Sequence, residues 1–488
     1  MARSPERHEA PSSSAIDVAA PSGKEESGYL NAPARLGLFL AAWSERWFPD
    51  PLIFALLGIV CVFCIGILMG EKPGQLAIQG GMNFWALVPF TMQMVFTIVG
   101  GYVVASAPIV KRGMRRLAGL PKTPRGAIAL VALCSMLSSL ISAGFSLIFS
   151  GVFVRELSKR VKGLDYRAAG AAGYLGLGAV WALGLSSSAA MLMGTRSSLP
   201  GSLLSISGVI PLRQTIFLWQ SIATAAILII VSTLTAYFSA PSPEKARTAE
   251  YYNIEIEDGL PEIQTRTRPG EWLEYSPILT ILVSAILGWY LLHVFMTSPL
   301  GALAALDLNT YNLMFITAGL LLHWRPRHFV QAVAECIPAT SGVLIQFPFY
   351  AVIFGMIVGT GISDRLAKVI LSVSSPGSFP VLVAAYSAGL GIFIPSGGSK
   401  WIIEAPAVLQ AANLDHVHLG WVVQIYNASE ALPNLINPFW MLPLLGILRL
   451  KARDIVGYGV LQLMVHVPLV FFLCWFFARH ISYVPPLK

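Results

Sequence analysis

The chain has 488 residues, of which 55% are hydrophobic and only 12% are charged, whereas about a quarter of the residues of a soluble globular protein are charged. This composition excludes a soluble globular protein and predicts an all-α polytopic membrane protein. The formal net charge of +8 requires no nucleic acid as a partner, because Lys and Arg collect in the membrane-protein loops that stay in the cytoplasm. Several apolar runs are long enough to cross a bilayer core of about 30 Å: residues 51–70, 84–107, 215–239, 276–295, 338–360 and 455–478.

The amino-terminal residues 1–30 are polar and contain no apolar core of a signal peptide. A polar segment of this kind cannot bury enough apolar surface to fold, so we interpret it as a disordered cytoplasmic tail. Residues 31–240 then form the first of two halves.

The first half contains an apolar run, residues 126–154, between two basic loops. The flanking residues 108–125 and 155–167 are rich in Lys and Arg, so both loops are predicted to be cytoplasmic. A single crossing cannot return to its starting side, so the run is predicted to be a re-entrant hairpin of two half-helices. Its tip carries Ser139 and Ser142. Non-helical backbone at that depth must be buried in protein or face a water-filled cavity.

The hairpin is followed by a long apolar segment, residues 168–194, that is interrupted by GLSSSAA. Glycine and serine in the middle of a spanning segment predict a broken helix, with Ser186, Ser187 and Ser188 at the break. An acidic stretch, residues 241–275, is then interpreted as a cytoplasmic linker, and residues 276–298 as a connecting span.

The second half, residues 299–488, repeats the same order. Residues 379–412 form an apolar run whose flanks contain no Lys or Arg, which predicts a hairpin entering from the external side. Residues 419–448 are interrupted by NASEALPNLINP and are followed by basic residues, which predicts a second broken helix. Two halves of opposite orientation form an inverted repeat with about nine crossings plus two hairpins, a cytoplasmic amino terminus and an external carboxyl terminus.

Inverted repeats with broken helices are typical of secondary transporters, whose binding sites lie near the midplane where the broken elements meet. The amino termini of half-helices present free N–H groups that suit a carboxylate, and free carbonyls and hydroxyls can bind Na⁺. A sodium site near Ser186, Ser396 and Asn434 is one candidate. The alternative is that small residues only let helices pack closely. The predicted substrate-binding residues are Ser139, Ser142, Ser186, Ser187, Ser188, Ser396, Gly397, Gly398, Ser399, Lys400 and Asn434.

Lys400 is costly near the bilayer centre, by roughly 2.5–3.5 kcal/mol on insertion scales. It is either an electrostatic partner of an anionic substrate or a structural partner of Glu404 or Glu430. These two glutamates are also candidate carriers of a coupling proton. An intramembrane enzyme is disfavoured, because the histidines lie mostly in tails and at membrane edges without metal-ligand spacing. No other cofactor is expected.

Two motifs resemble the short-chain fatty acid transporter family. FIPSGGSKWIIEAPAVLQAA, residues 393–412, is similar to the family's FIPSGGGQW, and LPNLINPFWMLPLLG, residues 432–446, is similar to TNLIQPFWALPLL. That family is placed in the ion transporter superfamily with the divalent-anion/sodium symporters. The resemblance implies a homodimer whose hairpin-bearing transport domains move against a scaffold by an elevator motion.

Three elements depart from the family pattern. Lys400 replaces a glutamine, WALGLS at residues 181–186 replaces Trp-His-Gly-Gly-Leu-Ser, and SLISAG at residues 139–144 replaces SWINWG. The sequence therefore predicts a secondary active transporter, coupled to Na⁺ or H⁺, that moves a small monocarboxylate such as a short-chain fatty acid across the inner membrane. An antiporter or exporter of another organic anion or amphipathic compound on the same fold is the alternative.

Overall fold

A computed structural model of the protein describes residues 32–47, 51–86, 88–194, 196, 199, 201–254, 268–298, 302–305, 308–362, 365, 372, 374–375, 377–393 and 397–486. The predicted amino-terminal tail and residues 255–267 of the predicted linker lie outside this part. The described residues form an all-helical protein.

The helices follow one another in chain order. They are α1 Ala32–Trp47, α2 Pro51–Leu68, α3 Pro73–Asn83, α4 Val88–Ser106, α5 Pro108–Leu117, α6 Pro124–Ile141, α7 Ala143–Arg160, α8 Tyr166–Leu175, α9 Ser188–Gly194, α10 Gly201–Ser207, α11 Trp219–Ser239, α12 Trp272–Tyr275, α13 Ile278–Thr297, α14 Leu308–His323, α15 Pro326–Cys336, α16 Ser341–Gly359, α17 Phe379–Phe393, α18 Gly397–Leu414, α19 Leu419–Asn434, α20 Pro438–Leu448 and α21 Ala452–Ala478.

Several helix starts follow directly from local sequence. The side chains of Thr123, Ser142, Asp165, His418 and Asn437 each accept a hydrogen bond from a backbone N–H in the first turn of the next helix. Such caps satisfy donors that have no partner within the helix. At these five boundaries a polar residue of the sequence caps the helix that follows.

Helices α6 and α7 occupy the first predicted hairpin segment and are separated by Ser142 alone, which is extended. Helix α8 continues through a π-helical turn, Gly176–Val180, and a 3₁₀ turn, Trp181–Leu183, before the chain turns and α9 begins. Helices α17 and α18 occupy the second predicted hairpin segment, whose tip residues 394–396 lie outside the described residues. Helices α19 and α20 then meet at a bend of 56°.

Within the described part, five helices are long and apolar enough to cross a membrane, or up to eight if each bent pair is one span. The protein is thus a multi-pass membrane protein, while nine crossings plus two hairpins stays a prediction. Helix α19 lies at the centre of the fold, since all of its residues are buried.

The start of the predicted linker is packed against the start of α8. Asp165 and Arg167 form a buried ion pair of 2.9 Å. The Asp165 carboxylate also accepts a hydrogen bond of 3.1 Å from the backbone N–H of Arg247, and the Tyr166 N–H donates to the Arg247 carbonyl at 2.8 Å. The Asp165 carboxylate thus caps α8, pairs with Arg167 and binds the linker backbone. These contacts attach the described beginning of the linker to the first half.

Candidate functional site

The tip of the first hairpin is hydrogen-bonded to the first break. The Ser186 hydroxyl donates to the Ser139 carbonyl at 2.7 Å and accepts from the Ala143 N–H at 2.9 Å. The Leu185 N–H donates to the Leu140 carbonyl at 2.7 Å. These bonds satisfy backbone groups that the interruptions of α6 and α8 leave free.

Two glycines permit this close approach. A Cβ on Gly184 would lie 2.3 Å from the Leu140 carbonyl oxygen, and a Cβ on Gly176 would lie 2.4 Å from the Ser135 carbonyl oxygen. Real Cβ atoms do not come this near to backbone oxygen, so any side chain would force the two segments apart.

Buried serines also fasten the hairpin to the end of α8 and to the π-helical turn that follows it. The Ser135 hydroxyl donates to the Gly173 carbonyl at 2.7 Å, and the Ser139 hydroxyl donates to the Gly176 carbonyl at 2.5 Å. Ser146 donates to the Ser135 carbonyl at 2.6 Å. The π-turn frees carbonyls of α8, and the hairpin supplies the hydroxyls that bond to them.

The second hairpin reaches the same place from the other half. A Cβ on Gly397 would lie 2.7 Å from Cη2 of Trp181, and a Cβ on Gly398 would lie 3.3 Å from Cβ of Ser188. The Tyr426 hydroxyl of α19 donates to the Gly397 carbonyl at 2.5 Å. The start of α18 therefore lies directly against the first break.

The two broken helices are also bonded to each other. The Ser187 hydroxyl donates to Oδ1 of Asn427 at 3.0 Å, and it accepts from the Ala190 N–H of α9 at 3.0 Å. The Tyr174 hydroxyl donates to the Asn434 carbonyl at 2.8 Å, where α19 ends. We call the meeting place of residues 139–142, 184–188, 397–398 and Asn427 the junction.

A polar stripe runs along α19, with members at 424, 427, 430 and 434. At about 100° per residue these positions share an arc of about 120°, and all four side chains are at most 1% exposed. The Asn427 Nδ2 atom and both side-chain polar atoms of Gln424 and Asn434 have no hydrogen-bond partner among the described residues. Buried polar groups are normally hydrogen-bonded, so these amides are donors and acceptors that a bound solute could use.

Sequence reasoning missed Gln424, Asn427 and Ser387 as site residues. The spacing of three between Gln424 and Asn427 inside an apolar segment was a usable signal for the first two, because it places both on one helical face. No comparable signal marks Ser387, which matters only through its contacts across the hairpin.

Lys400 lies in a closed ionic cluster. Its Nζ atom is 2.5 Å from Oε2 of Glu430 and 3.3 Å from Oε1 of Glu404, and it donates to the Ser387 carbonyl at 2.7 Å. Ser387 Oγ in turn donates to Oε2 of Glu404 at 2.6 Å. The Tyr426 ring centroid is 4.5 Å from Nζ. Glu404 and Glu430, the two glutamates that the sequence offered as partners, are thus both in contact with the Lys400 ammonium group.

The cluster holds three ionisable side chains with almost no exposure to solvent. Lys400 and Glu404 are 0% exposed and Glu430 is 1% exposed. Two carboxyl groups face a single ammonium group, so full ionisation would leave one uncompensated negative charge in a low-dielectric interior. Binding one proton or one cation would neutralise it.

The remaining predicted site residues have different surroundings. Ser142 is buried and caps α7, whereas Ser188 is exposed at the start of α9. Ser396 and the side chain of Ser399 lie outside the description. The sodium site predicted above includes Asn434 and Ser186. In the structure, however, the second broken helix is hydrogen-bonded to the first break through Asn427, which accepts from the Ser187 hydroxyl. Within the described residues, no three His, Cys, Asp or Glu side chains cluster closely enough to hold a metal ion.

Among solved structures, the chain is similar to Neisseria gonorrhoeae MtrF, whose structure and function are described as illuminating a class of antimetabolite efflux pumps. The TM-score is 0.43, the sequence identity is 13%, and the match covers 89% of this chain and 97% of that one. The Alcanivorax borkumensis YdaH transporter, described as having an unusual topology, gives a TM-score of 0.43, 16% identity and coverage of 90% and 100%.

Two curated proteins share a higher sequence identity with this chain than these structures do. Residues 33–477 match the family described as short chain fatty acid transporter. A protein of Escherichia coli (strain K12) named as a candidate short-chain fatty acid transporter is 34% identical over 433 residues, covering 88% of this chain and 96% of the relative. A relative in Haemophilus influenzae with the same name is 30% identical, with coverage of 89% and 98%. The chain belongs to the short-chain fatty acid transporter family, and it is a transporter rather than an enzyme.

Proposed function

We propose that the protein is a secondary active transporter that moves a short-chain monocarboxylate across the inner membrane by coupling it to a cation gradient. The observation that carries this proposal is the set of buried amides of Gln424, Asn427 and Asn434 without hydrogen-bond partners among the described residues. Asn427 belongs to the junction, where both hairpins and both broken helices meet. Amide N–H groups donate to a carboxylate, and amide oxygens can bind a sodium ion.

The transport cycle that we propose is an elevator motion of an inverted repeat in a homodimer, with the amino terminus in the cytoplasm and the carboxyl terminus outside. Each half contains a hairpin segment followed by a broken helix in the same chain order, α6 to α9 and α17 to α20. The flanking basic residues support opposite orientations of the two halves. The lipid bilayer is the solvent for the exposed apolar faces.

The coupling ion that we favour is a proton held by the Lys400–Glu404–Glu430 cluster, because the cluster has one carboxylate more than it has cations. In the proton-bound state the cluster is neutral and the second hairpin stays docked on α19. Loss of the proton leaves a buried negative charge that loosens the contact. The competing assignment is Na⁺ bound by carbonyl, hydroxyl and amide oxygens at the junction.

Uptake of radiolabelled butyrate into proteoliposomes that contain the reconstituted protein tests the proposal. We expect accumulation of butyrate when an inward proton gradient is imposed, and loss of this dependence in Glu430→Gln. Accumulation driven by a sodium gradient alone, and unaffected by Glu430→Gln, would move the coupling site to the junction. Failure of every imposed gradient to drive uptake of any short-chain carboxylate would refute secondary transport of this substrate class.

Asn434→Leu separates a binding role from a structural one. Replacing an unpaired buried amide with an apolar side chain of similar size is nearly neutral or stabilising for the fold, so the thermal stability in detergent is expected to hold or rise. Butyrate uptake is expected to fall by about tenfold or more, the equivalent of about 1.4 kcal/mol.

Thr317→Val is the matched control for Asn434→Leu. Thr317 of α14 also has a buried side-chain oxygen without a hydrogen-bond partner among the described residues. Since Thr317 itself is not one of the junction residues, uptake by Thr317→Val should equal that of the unchanged protein. Unchanged uptake by Asn434→Leu would exclude this amide from the binding site.

A further inference from the structure

A second polar region lies away from the junction, in a cavity of about 860 Å³. Its walls come from α4 and α5, from α7, from the end of α15 and the turn after it, and from the end of α20. A volume of this size is within the usual range of small-molecule sites. The cavity is on the side of the membrane that the basic loops predict to be cytoplasmic.

Cationic side chains dominate the walls. Six of them line the cavity: Lys111, Arg115, Arg155, Lys159, Arg160 and Arg449. The lining contains only two acidic side chains, Glu156 and Glu335, among the described residues. Glu156 is paired with Arg160 at 3.3 Å, and Glu335 accepts a hydrogen bond of 3.2 Å from the Tyr102 hydroxyl. The lining therefore carries a clear excess of positive charge.

The cations come from separate parts of the chain and converge on one space. Lys111 and Arg155 are half-buried, which is unusual for charged groups that merely cover a surface. Arg449 ends α20 with φ of 55°, in the left-handed region where glycine is preferred at helix ends. A glycine at that position would remove the guanidinium group that lines the cavity.

We propose that this cavity binds a phosphate-bearing anion, supplied either by the headgroup of an anionic lipid or by a soluble phosphorylated compound. Arginine side chains present paired N–H donors that match phosphate oxygens. A short-chain monocarboxylate carries one negative charge, whereas the lining carries six cationic side chains against two acidic ones. Basic pockets between helices on the cytoplasmic side of a membrane attract anionic headgroups.

An anion in this cavity would join the first hairpin to helices outside it. Arg155 and Lys159 belong to α7, whereas Lys111 and Arg115 belong to α5. If α7 moves relative to α5 during transport, which rests on the function proposed above, occupancy would slow that motion. The binding itself does not depend on transport and is measured without it.

Helix α5 offers a matched pair of variants. Lys111, which is half-buried, and Arg115, which is exposed, line the cavity. The neighbouring Arg112 and Arg116 are also exposed but do not line it. The double variants Lys111→Gln/Arg115→Gln and Arg112→Gln/Arg116→Gln remove the same charge from the same helix. They differ in which face of α5 loses it.

Two probes distinguish the sources of phosphate. Pyrophosphate binding to the detergent-solubilised protein is measured by calorimetry, and retention of phosphatidylglycerol is measured by native mass spectrometry from nanodiscs that also contain phosphatidylcholine. We expect at least one probe to bind the unchanged protein, with a loss of about tenfold in affinity for Lys111→Gln/Arg115→Gln and a change within about twofold for Arg112→Gln/Arg116→Gln. Phosphatidylglycerol alone would identify the lipid source, and pyrophosphate alone the soluble one.

Three results would overturn the proposal. The first is that neither probe binds measurably to the unchanged protein. The second is that both double variants weaken binding equally, as a general effect of surface charge predicts. Displacement of a bound probe by butyrate would instead assign the cavity to the transported carboxylate. Butyrate uptake by both double variants is measured in a separate experiment. A loss of probe binding can therefore be told apart from a loss of the proposed transport function.

Discussion

The two hairpin segments are fastened to their neighbours by different chemistry. In the first, Ser139 and Ser186 exchange neutral hydrogen bonds with backbone groups of the tip and the break. In the second, Lys400 binds Glu404 and Glu430, which connects α18 to α19 through charge. Hydroxyl bonds to backbone carbonyls therefore hold both hairpins, since the Tyr426 hydroxyl also donates to the Gly397 carbonyl, and the second hairpin is held by an ionic cluster in addition.

The difference separates a constant attachment from a switchable one. A hydroxyl bonded to a carbonyl does not change its charge over the physiological pH range, and it contributes about 1 kcal/mol to stability. A buried cluster of two acids and one base depends on its charge balance, and removing one partner is far more disruptive. We expect the attachment of the second hairpin to α19 to depend on pH and on bound ions. The attachment of the first hairpin should be independent of both.

The largest effect is expected from Lys400→Gln. The substitution leaves Glu404 and Glu430 buried without their cation, which should lower the free energy of unfolding by about 3–5 kcal/mol. Denaturant unfolding in detergent measures the loss. Removing all three charges in Lys400→Gln/Glu404→Gln/Glu430→Gln should restore most of it.

Butyrate binding to that triple variant then tests the role of the lysine. Affinity equal to that of the unchanged protein would limit Lys400 to holding the hairpin, whereas a persistent loss in a stable protein would return it to the substrate site. A Lys400→Gln protein as stable as the unchanged one would contradict the ionic attachment altogether.

An intermediate effect is expected from Gly184→Ala at the first attachment. The new Cβ would lie 2.3 Å from the Leu140 carbonyl oxygen, so the tip and the break must separate. A loss of about 1–3 kcal/mol in the free energy of unfolding follows from overpacking, and thermal unfolding in detergent detects it.

Gly389→Ala in α17 is the control, since no atom lies within 4 Å of a Cβ at that position. Alanine favours helix over glycine, so this variant should be as stable as the unchanged protein or more so. Equal stability of the two alanine variants would mean that the close approach at Gly184 is not needed.

The smallest effect is the difference between two serine substitutions. Ser139→Ala removes a neutral bond to the Gly176 carbonyl and should cost about 1 kcal/mol, whereas Ser387→Ala removes a bond to the Glu404 carboxylate and should cost about 1.5–3 kcal/mol. The loss in Ser139→Ala should be the same at acidic and neutral pH. Unfolding curves at both pH values measure this, and identical pH profiles for the two variants would remove the distinction between the attachments.

Local sequence patterns predict where the chain breaks more readily than which side chains meet there. Ser142 and the GLSSSAA segment mark the first tip and break because serine and glycine leave or cap helices for local reasons. The role of Lys400 stayed open in the sequence, since both Glu404 on its own helix and Glu430 on another were within the range of plausible partners. Spacing alone cannot choose between a neighbour four residues away and one brought close by folding.

The sequence by itself determined that this is a helical membrane protein with interrupted helices, because bilayer thickness, loop charge and helix capping act on residues close together in the chain. Its resemblance to the short-chain fatty acid transporter family was carried by the motifs at residues 393–412 and 432–446. The tertiary structure decided that Lys400 is enclosed by two carboxylates and that Gln424, Asn427 and Asn434 lie buried without partners among the described residues. It also brought cations of α5, α7 and α20 around one cavity. Such contacts join residues tens to hundreds of positions apart, and only the packing of the helices sets which of them meet.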